Sequence, residues 1–164
     1  VLIEHLTETG KTLCTVESCT GGLVFSTLTA VAGASAVLDR GFITYSNQAK
    51  QDMVGVTPET LARFGAVSQQ TAAEMAKGGQ KTAGTDLSVS LTGIAGPGGG
   101  TPDKPVGLVW ISACSEDGRQ ITEHHQFSGN RQQIRQAACD AAIELLQKLS
   151  AGFRPVDLDR NRKF

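Results

Sequence analysis

Apolar residues along the chain follow two rhythms that take turns. Short unbroken or alternating apolar runs over residues 12–17, 41–45, 86–92, 106–114 and 120–127 predict strands, because a strand turns successive side chains to opposite faces. Between them, small and apolar residues recur at helical spacing over about 20–30, 46–54, 58–64, 68–82 and 130–152. Local punctuation supports these helices. Thr57 before Pro58 makes a good N-cap, and Ser68 caps a longer helix whose Ala72, Met75, Ala76 and Gly79 form a narrow face, with Gly84 as its stop. Asn130 with Gln133 resembles a capping box, and Ile134, Ala138, Ala141, Leu145 and Leu149 line one stripe of the last helix. Asp117-Gly118 is a hairpin turn signal between the last two strands. Helices and strands interleave first and a hairpin follows. The chain is therefore expected to be a three-layer α/β/α domain with a mixed, partly parallel sheet and a C-terminal hairpin plus helix.

At 164 residues and 40% hydrophobic content, the chain can bury one good core but not two ordinary ones. One domain over residues 1–152 is expected, followed by a polar, loosely held tail over 153–164. An opening on Val1 rather than Met leaves room for a further domain upstream. A net charge of −1, with no basic cluster beyond Arg160, Arg162 and Lys163, offers nucleic acid little electrostatic purchase. Gly, Ser and Thr break the apolar stretches well short of a membrane span, and no leader segment opens the chain, so a soluble, cytoplasmic protein is expected. Cys14, Cys19, Cys114 and Cys139 lack C-x-x-C pairing and the His spacing of a zinc site; they read as reduced, mostly buried thiols. The carboxylates are equally scattered, and no metal is expected. His124 and His125 are neighbours on a strand and face opposite ways, while His5 is N-terminal, so nothing supports a Ser-His-Asp triad.

Candidate chemistry begins where the first strand meets the first helix after it. Val16-Glu17-Ser18-Cys19-Thr20-Gly21-Gly22 places a serine and two glycines at a helix entrance, where free N–H groups favour an oxyanion or a phosphate. Cys19 is a second nucleophile in the same turn, and a helix start would stabilise its thiolate; if both residues are extended, only one of Ser18 and Cys19 can face a pocket. Lys50 is the other candidate. A lysine on a helix is ordinarily solvated, but this one follows the aromatic strand end at 42–45 and has Ser46 four residues earlier. Burial could lower such an amine from about 10.4 toward about 7 to 8, at a cost of roughly 4 kcal/mol that the fold must supply. A serine paired with a neutral lysine is a known form of nucleophilic catalysis. The run at 93–102 is neither a Walker loop nor a dinucleotide fingerprint, and stands as either a surface connection or a ligand loop.

Several longer stretches resemble one family. Residues 17–22, 41–50, 65–68, 92–101 and 104–107 are similar to the C-terminal domain of CinA, the competence-damage-inducible protein, which in some bacteria stands alone as nicotinamide mononucleotide (NMN) deamidase. The likeness runs over about 2–149, and Asn130 is a position where some members carry an acid. It implies a metal-independent, cofactor-free amidohydrolase, cytoplasmic and often homo-oligomeric, that converts NMN to nicotinic acid mononucleotide and ammonia. By the same resemblance the catalytic serine and lysine fall on Ser18 and Lys50, with Tyr45 orienting the lysine or contacting substrate. Thr20, Gly21, Gly22, Thr92, Gly93 and Gly96 would then belong to the substrate pocket, and Arg131 would take the 5′-phosphate. Arg131 otherwise reads as a solvated first-turn residue. Two further readings stay open: a nucleotide-phosphate binding module without catalysis, and a partner domain of a fused pyrophosphatase unit.

Overall fold

Residues 1–155 are described by the computed structural model. A five-stranded sheet in the order β2-β1-β3-β4-β5 forms the middle layer. Strand β1 (Leu13–Glu17) runs parallel to β2 (Leu38–Ile43) on one side and to β3 (Leu87–Gly93) on the other; β4 (Leu108–Ser115) and β5 (Gln120–Gln126) continue antiparallel. Helices α1 (Leu2–Thr9), α2 (Leu23–Thr29) and α6 (Arg131–Ser150) cover one face. The other carries α5 (Gln69–Ala83), with α3 (Asn47–Val54) and α4 (Pro58–Phe64) packed outside it. This is the expected mixed three-layer arrangement.

The two faces of β3 explain how α5 sits so close. Leu87, Val89 and Leu91 point into the larger core beneath α6, while Ser88, Ser90 and Thr92 face the α5 side. All six are buried, so the alternation seen in the sequence marks two buried faces rather than one. Backbone carbonyls receive two of these three hydroxyls: Ser90 Oγ donates to Ala72 O at 2.6 Å and Thr92 Oγ1 to Ala66 O at 2.7 Å, while Ser88 Oγ has no hydrogen-bond partner among the described residues. The narrow face of α5 supplies the room, since a Cβ on Gly79 would lie 2.3 Å from Val16 Cγ2.

The helix starts at Thr57, Ser68 and Asn130 match their sequence signals, and Ser46 caps a fourth. Ser46, Thr57, Ser68 and Asn130 each accept the N–H of the residue three positions on, and Asn130 and Gln133 form the full capping box. Gly84 ends α5 in the left-handed region, at φ 67°. Other boundaries move for identifiable reasons. Helix α2 starts at Leu23 rather than near residue 20, because Gly21 and Gly22 take φ of 57° and 102° and hold the chain out of the helix. Strand β2 begins at Leu38, where Leu13 offers a parallel partner, and stops at Ile43, ahead of Ser46, which caps α3. Helix α1 has no counterpart among the sequence expectations. Its Leu2, Ile3, Leu6 and Thr9 carry the right spacing, but its N-cap Val1 makes no side-chain cap.

At the C-terminal end, Phe153 is half-buried against the core, with the Lys11 and Arg119 side chains over its ring at 5.4 and 5.0 Å. The expectation of a loose tail from 153 onward thus misses this aromatic anchor, and residues 156–164 of that tail, including Arg160, Arg162 and Lys163, lie outside the described residues. All four cysteines are free and buried, as expected.

Candidate active site

The three parallel strands β2, β1 and β3 end on the same edge of the sheet, and the chain leaves β1 and β3 in opposite directions. Ligands of open α/β sheets bind in the crevice at such a point. Here the crevice is a cleft of about 280 Å³. Ser18 and Cys19 enter it from the end of β1, Tyr45, Asn47 and Lys50 from the β2–α3 connection, and Thr92 to Gly96 from the end of β3. Ala66, Val67, Gly98, Gly99 and Arg131 complete the lining. The glycine-rich run is therefore part of the cleft wall.

Ser18 and Lys50 meet at its base. Lys50 Nζ stands 3.1 Å from Ser18 Oγ, 2.9 Å from Thr44 O and 3.3 Å from Tyr45 O. Only 1% of the Lys50 surface is exposed, and among the described residues no carboxylate pairs with it. Burial accordingly lowers its pKa from the ordinary 10.5, outweighing the opposing effect of the neighbouring Cys19 sulfur. In the neutral amine two N–H bonds can satisfy the two carbonyls, which leaves the nitrogen lone pair for the Ser18 hydroxyl proton. The pair is thus arranged for proton transfer without a histidine.

Cys19 takes a different course from the one its helix-start position suggests. Burial raises its thiol to about 11, well above the opposing pull of nearby positive charge. Ser46, the other serine near Lys50, is occupied as the N-cap of α3.

At the cleft mouth, Arg131 Nη1 donates to Gly96 O at 2.8 Å and Nη2 to the Tyr45 hydroxyl at 3.3 Å. Ser18, Lys50, Tyr45, Thr92, Gly93, Gly96 and Arg131 are therefore gathered around one cavity. Thr20, Gly21 and Gly22 are not among its lining. Thr20 is fully buried, and Gly22 borders a separate hollow with Phe25 and Ile43.

The reason lies in a residue the motif contains but whose role the sequence does not reveal. Glu17, 1% exposed, turns its carboxylate onto the start of α2 and accepts from Val24 N (2.9 Å), Phe25 N (3.1 Å), Thr20 Oγ1 (2.8 Å) and Thr15 Oγ1 (3.1 Å). The positive end of α2 is already occupied by this internal anion, and the expectation that it holds an oxyanion is corrected accordingly. On the other flank of the same turn, Arg135 of α6 donates to Cys19 O at 3.1 Å and Thr20 O at 2.9 Å. No local signal identifies it, since its partners lie more than a hundred residues away in sequence.

Among the described residues, no group of three or more His, Cys, Asp or Glu side chains is placed to hold a metal ion, and no helix is long and apolar enough to cross a membrane. His124 lies against the Trp110 ring and His125 against Phe127 and Glu123, on opposite sides of β5.

Fold and cleft together define an α/β protein with a buried serine–lysine pair at the carboxyl ends of its parallel strands. Residues 1–150 match the family described as the CinA C-terminal domain, and the chain belongs to that family. It is 50% identical over 137 residues to a protein of Escherichia coli K12 named nicotinamide-nucleotide amidohydrolase PncC, covering 84% of this chain and 83% of that one. A CinA-like protein of Kosmotoga olearia is 49% identical over 148 residues, 90% of this chain; the chain spans only 36% of that relative's length. The crystal structure of the competence/damage inducible protein CihA from Agrobacterium tumefaciens superposes with a TM-score of 0.89, at 47% identity and 90% coverage of both chains.

Proposed function

We propose that the chain is an amidohydrolase that converts NMN and water to nicotinic acid mononucleotide and ammonia, with Ser18 as nucleophile and Lys50 as its base. The observation that carries this reading is the 3.1 Å contact between Ser18 Oγ and a buried Lys50 Nζ that has no acidic partner among the described residues. The similarity to proteins named nicotinamide-nucleotide amidohydrolase supports the choice of substrate.

Neutral Lys50 takes the Ser18 proton as Oγ bonds to the carboxamide carbon. The tetrahedral intermediate collapses when the Lys50 ammonium passes its proton to the leaving nitrogen, which departs as ammonia. A water then attacks the Ser18 ester, giving its proton to Lys50, and that proton returns to Ser18 Oγ as the acid leaves. Donors for the oxyanion come from the glycine-rich wall. Among the described residues no hydrogen bond engages the N–H groups of Ala95, Gly96, Gly98 or Gly99, all cleft residues. Such a donor is typically worth about 3 to 4 kcal/mol in the transition state. Arg131 takes the 5′-phosphate at the mouth, and Tyr45 holds the arginine and closes over the ribose. The same reading takes the protein as a cytoplasmic homo-oligomer without a cofactor and without affinity for nucleic acid.

The test is ammonia release from NMN by the purified chain in EDTA, beside Ser18→Ala and Lys50→Ala. Release that survives the chelator and vanishes in both variants is expected. Binding of NMN without release by the folded wild type would instead favour a non-catalytic binding module.

A further inference from the structure

Ser18 sits in a turn that its own sequence does not make rigid. Gly21 and Gly22 follow within four residues, both in the left-handed region. A nucleophile must be held within about 0.5 Å of its productive position, and a misplacement of about 1 Å can cost on the order of a hundredfold in rate. Something outside the turn has to hold it.

We infer that Arg135 is a positioning residue for Ser18: its guanidinium fork grips the two carbonyls that follow the nucleophile and fixes the turn against α6. Nε donates to Cys19 O at 3.1 Å and Nη2 donates to Thr20 O at 2.9 Å, and a Cβ added to Gly21 would lie 3.8 Å from the same Nη2. Both bonds come from one planar cation, so they fix the orientation of the two peptide groups as well as their distance. Among the described residues no carboxylate pairs with Arg135, which leaves its charge for these carbonyls. The opposite flank is held by Glu17, through Thr20 Oγ1 at 2.8 Å. The turn is thus clamped between an anion anchored on α2 and a cation anchored on α6. Because Arg131 and Arg135 are one helical turn apart, α6 braces the cleft mouth and the nucleophile turn together.

This inference rests on the amidohydrolase reading, and two measurements keep the failures of the two apart. Steady-state release of ammonia from NMN is measured for wild type, Arg135→Met and Arg135→Lys, with melting temperatures alongside. Covalent labelling of Ser18 by phenylmethanesulfonyl fluoride is timed by mass spectrometry in the same three proteins, and needs no turnover of NMN. In Arg135→Met, kcat is expected to fall about a hundredfold with KM within about threefold, and Ser18 labelling to slow in parallel. Arg135→Lys, which restores a cation but not the fork, falls between. Labelling and kcat within about threefold of wild type in folded variants, whatever the melting temperature does, would overturn the inference. Loss of ammonia release by the wild type itself, with Ser18 labelling still slowed by Arg135→Met, would overturn the amidohydrolase reading and leave Arg135 in its positioning role.

Discussion

Lys50 reaches Ser18 through the interior of the protein, with its side-chain nitrogen 3.1 Å from the hydroxyl and 2.9 Å from the Thr44 carbonyl. Burial lowers its pKa below 10.5, so activity should rise with pH as the folded-state amine loses its proton, with a midpoint below that value. Lys50→Arg, which has no accessible neutral form, should be inactive at every pH. Stability should move the same way. Between the lowered folded-state value and 10.5 the unfolded chain holds a proton that the folded chain has released, so stability climbs with pH across that window, and the full cost of burying the ammonium is felt below it. Urea midpoints of wild type and Lys50→Met against pH check this: the buried thiols, raised by burial, lower stability with rising pH in both proteins, so the wild-type slope should be the more positive of the two by the Lys50 contribution.

Glu17 gives the clearest test of how the nucleophile turn is built. Its carboxylate satisfies two backbone N–H groups at the start of α2 and two hydroxyls, all in a buried setting. Glu17→Ala should destabilise the fold by about 3 kcal/mol, since each buried donor left without a partner costs about 1 to 3 kcal/mol. Glu17→Gln keeps the shape but turns an amide N–H toward a donor, and should recover only part of that loss. Chemical denaturation of the two variants settles the order.

How much of this was legible in the sequence depends on the range of each interaction. The caps at Thr57, Ser68 and Asn130 act over three residues, and their residue types alone announce them. Ser18 and Lys50 were candidates because a glycine-flanked turn and an aromatic strand end surround them, and the resemblance to a family ranked them together. Neither could disclose which N–H groups remain free. Glu17 sits inside the same motif, yet its position at the helix start follows from Gly21 and Gly22 turning the chain by a left-handed route, which fixes α2 over the carboxylate. Arg135 is one polar position on a long helix until the fold brings Cys19 and Thr20 beneath it.

Gly78 tests the support under Lys50. A Cβ there would lie 1.7 Å from the Val54 carbonyl oxygen, at the end of the helix that carries Lys50. Alanine favours a helix by about 1 kcal/mol over glycine, but forcing α3 off α5 should cost more, about 2 kcal/mol net. Gly78→Ala should therefore melt lower than wild type and also turn over more slowly, because the displaced α3 moves the amine away from Ser18. A stabilised, fully active variant would show that α3 can shift without consequence.

Cys19 shares the cleft with Ser18 but should not share its reactivity. With 8% of its surface exposed and its thiol raised to about 11 by burial, it carries almost no thiolate near neutral pH. Iodoacetamide at pH 8 should leave Cys19 unmodified in the folded protein and leave ammonia release intact. Peptide mapping after the reaction, native and in urea, distinguishes a shielded thiol from an unreactive one.

Arg131 separates anchoring from chemistry. It binds Gly96 O and the Tyr45 hydroxyl at the mouth, away from the Ser18–Lys50 contact, and its fork has donors to spare for a phosphate. A charge-assisted hydrogen bond contributes about 1.5 to 3 kcal/mol, and each 1.4 kcal/mol is about tenfold in affinity. Arg131→Ala should therefore raise KM for NMN about tenfold or more while kcat changes little. Nicotinamide riboside, which carries the same amide without the phosphate, supplies the control. If the arginine acts on the phosphate, the variant and the wild type should hydrolyse the riboside with similar kcat/KM, and the preference for NMN should shrink by the factor lost in KM. Equal losses on both substrates would mean that Arg131 serves by bracing Tyr45 and the glycine-rich wall. Tyr45→Phe, which removes only the exposed 3.3 Å bond, should then reproduce part of the loss on both substrates.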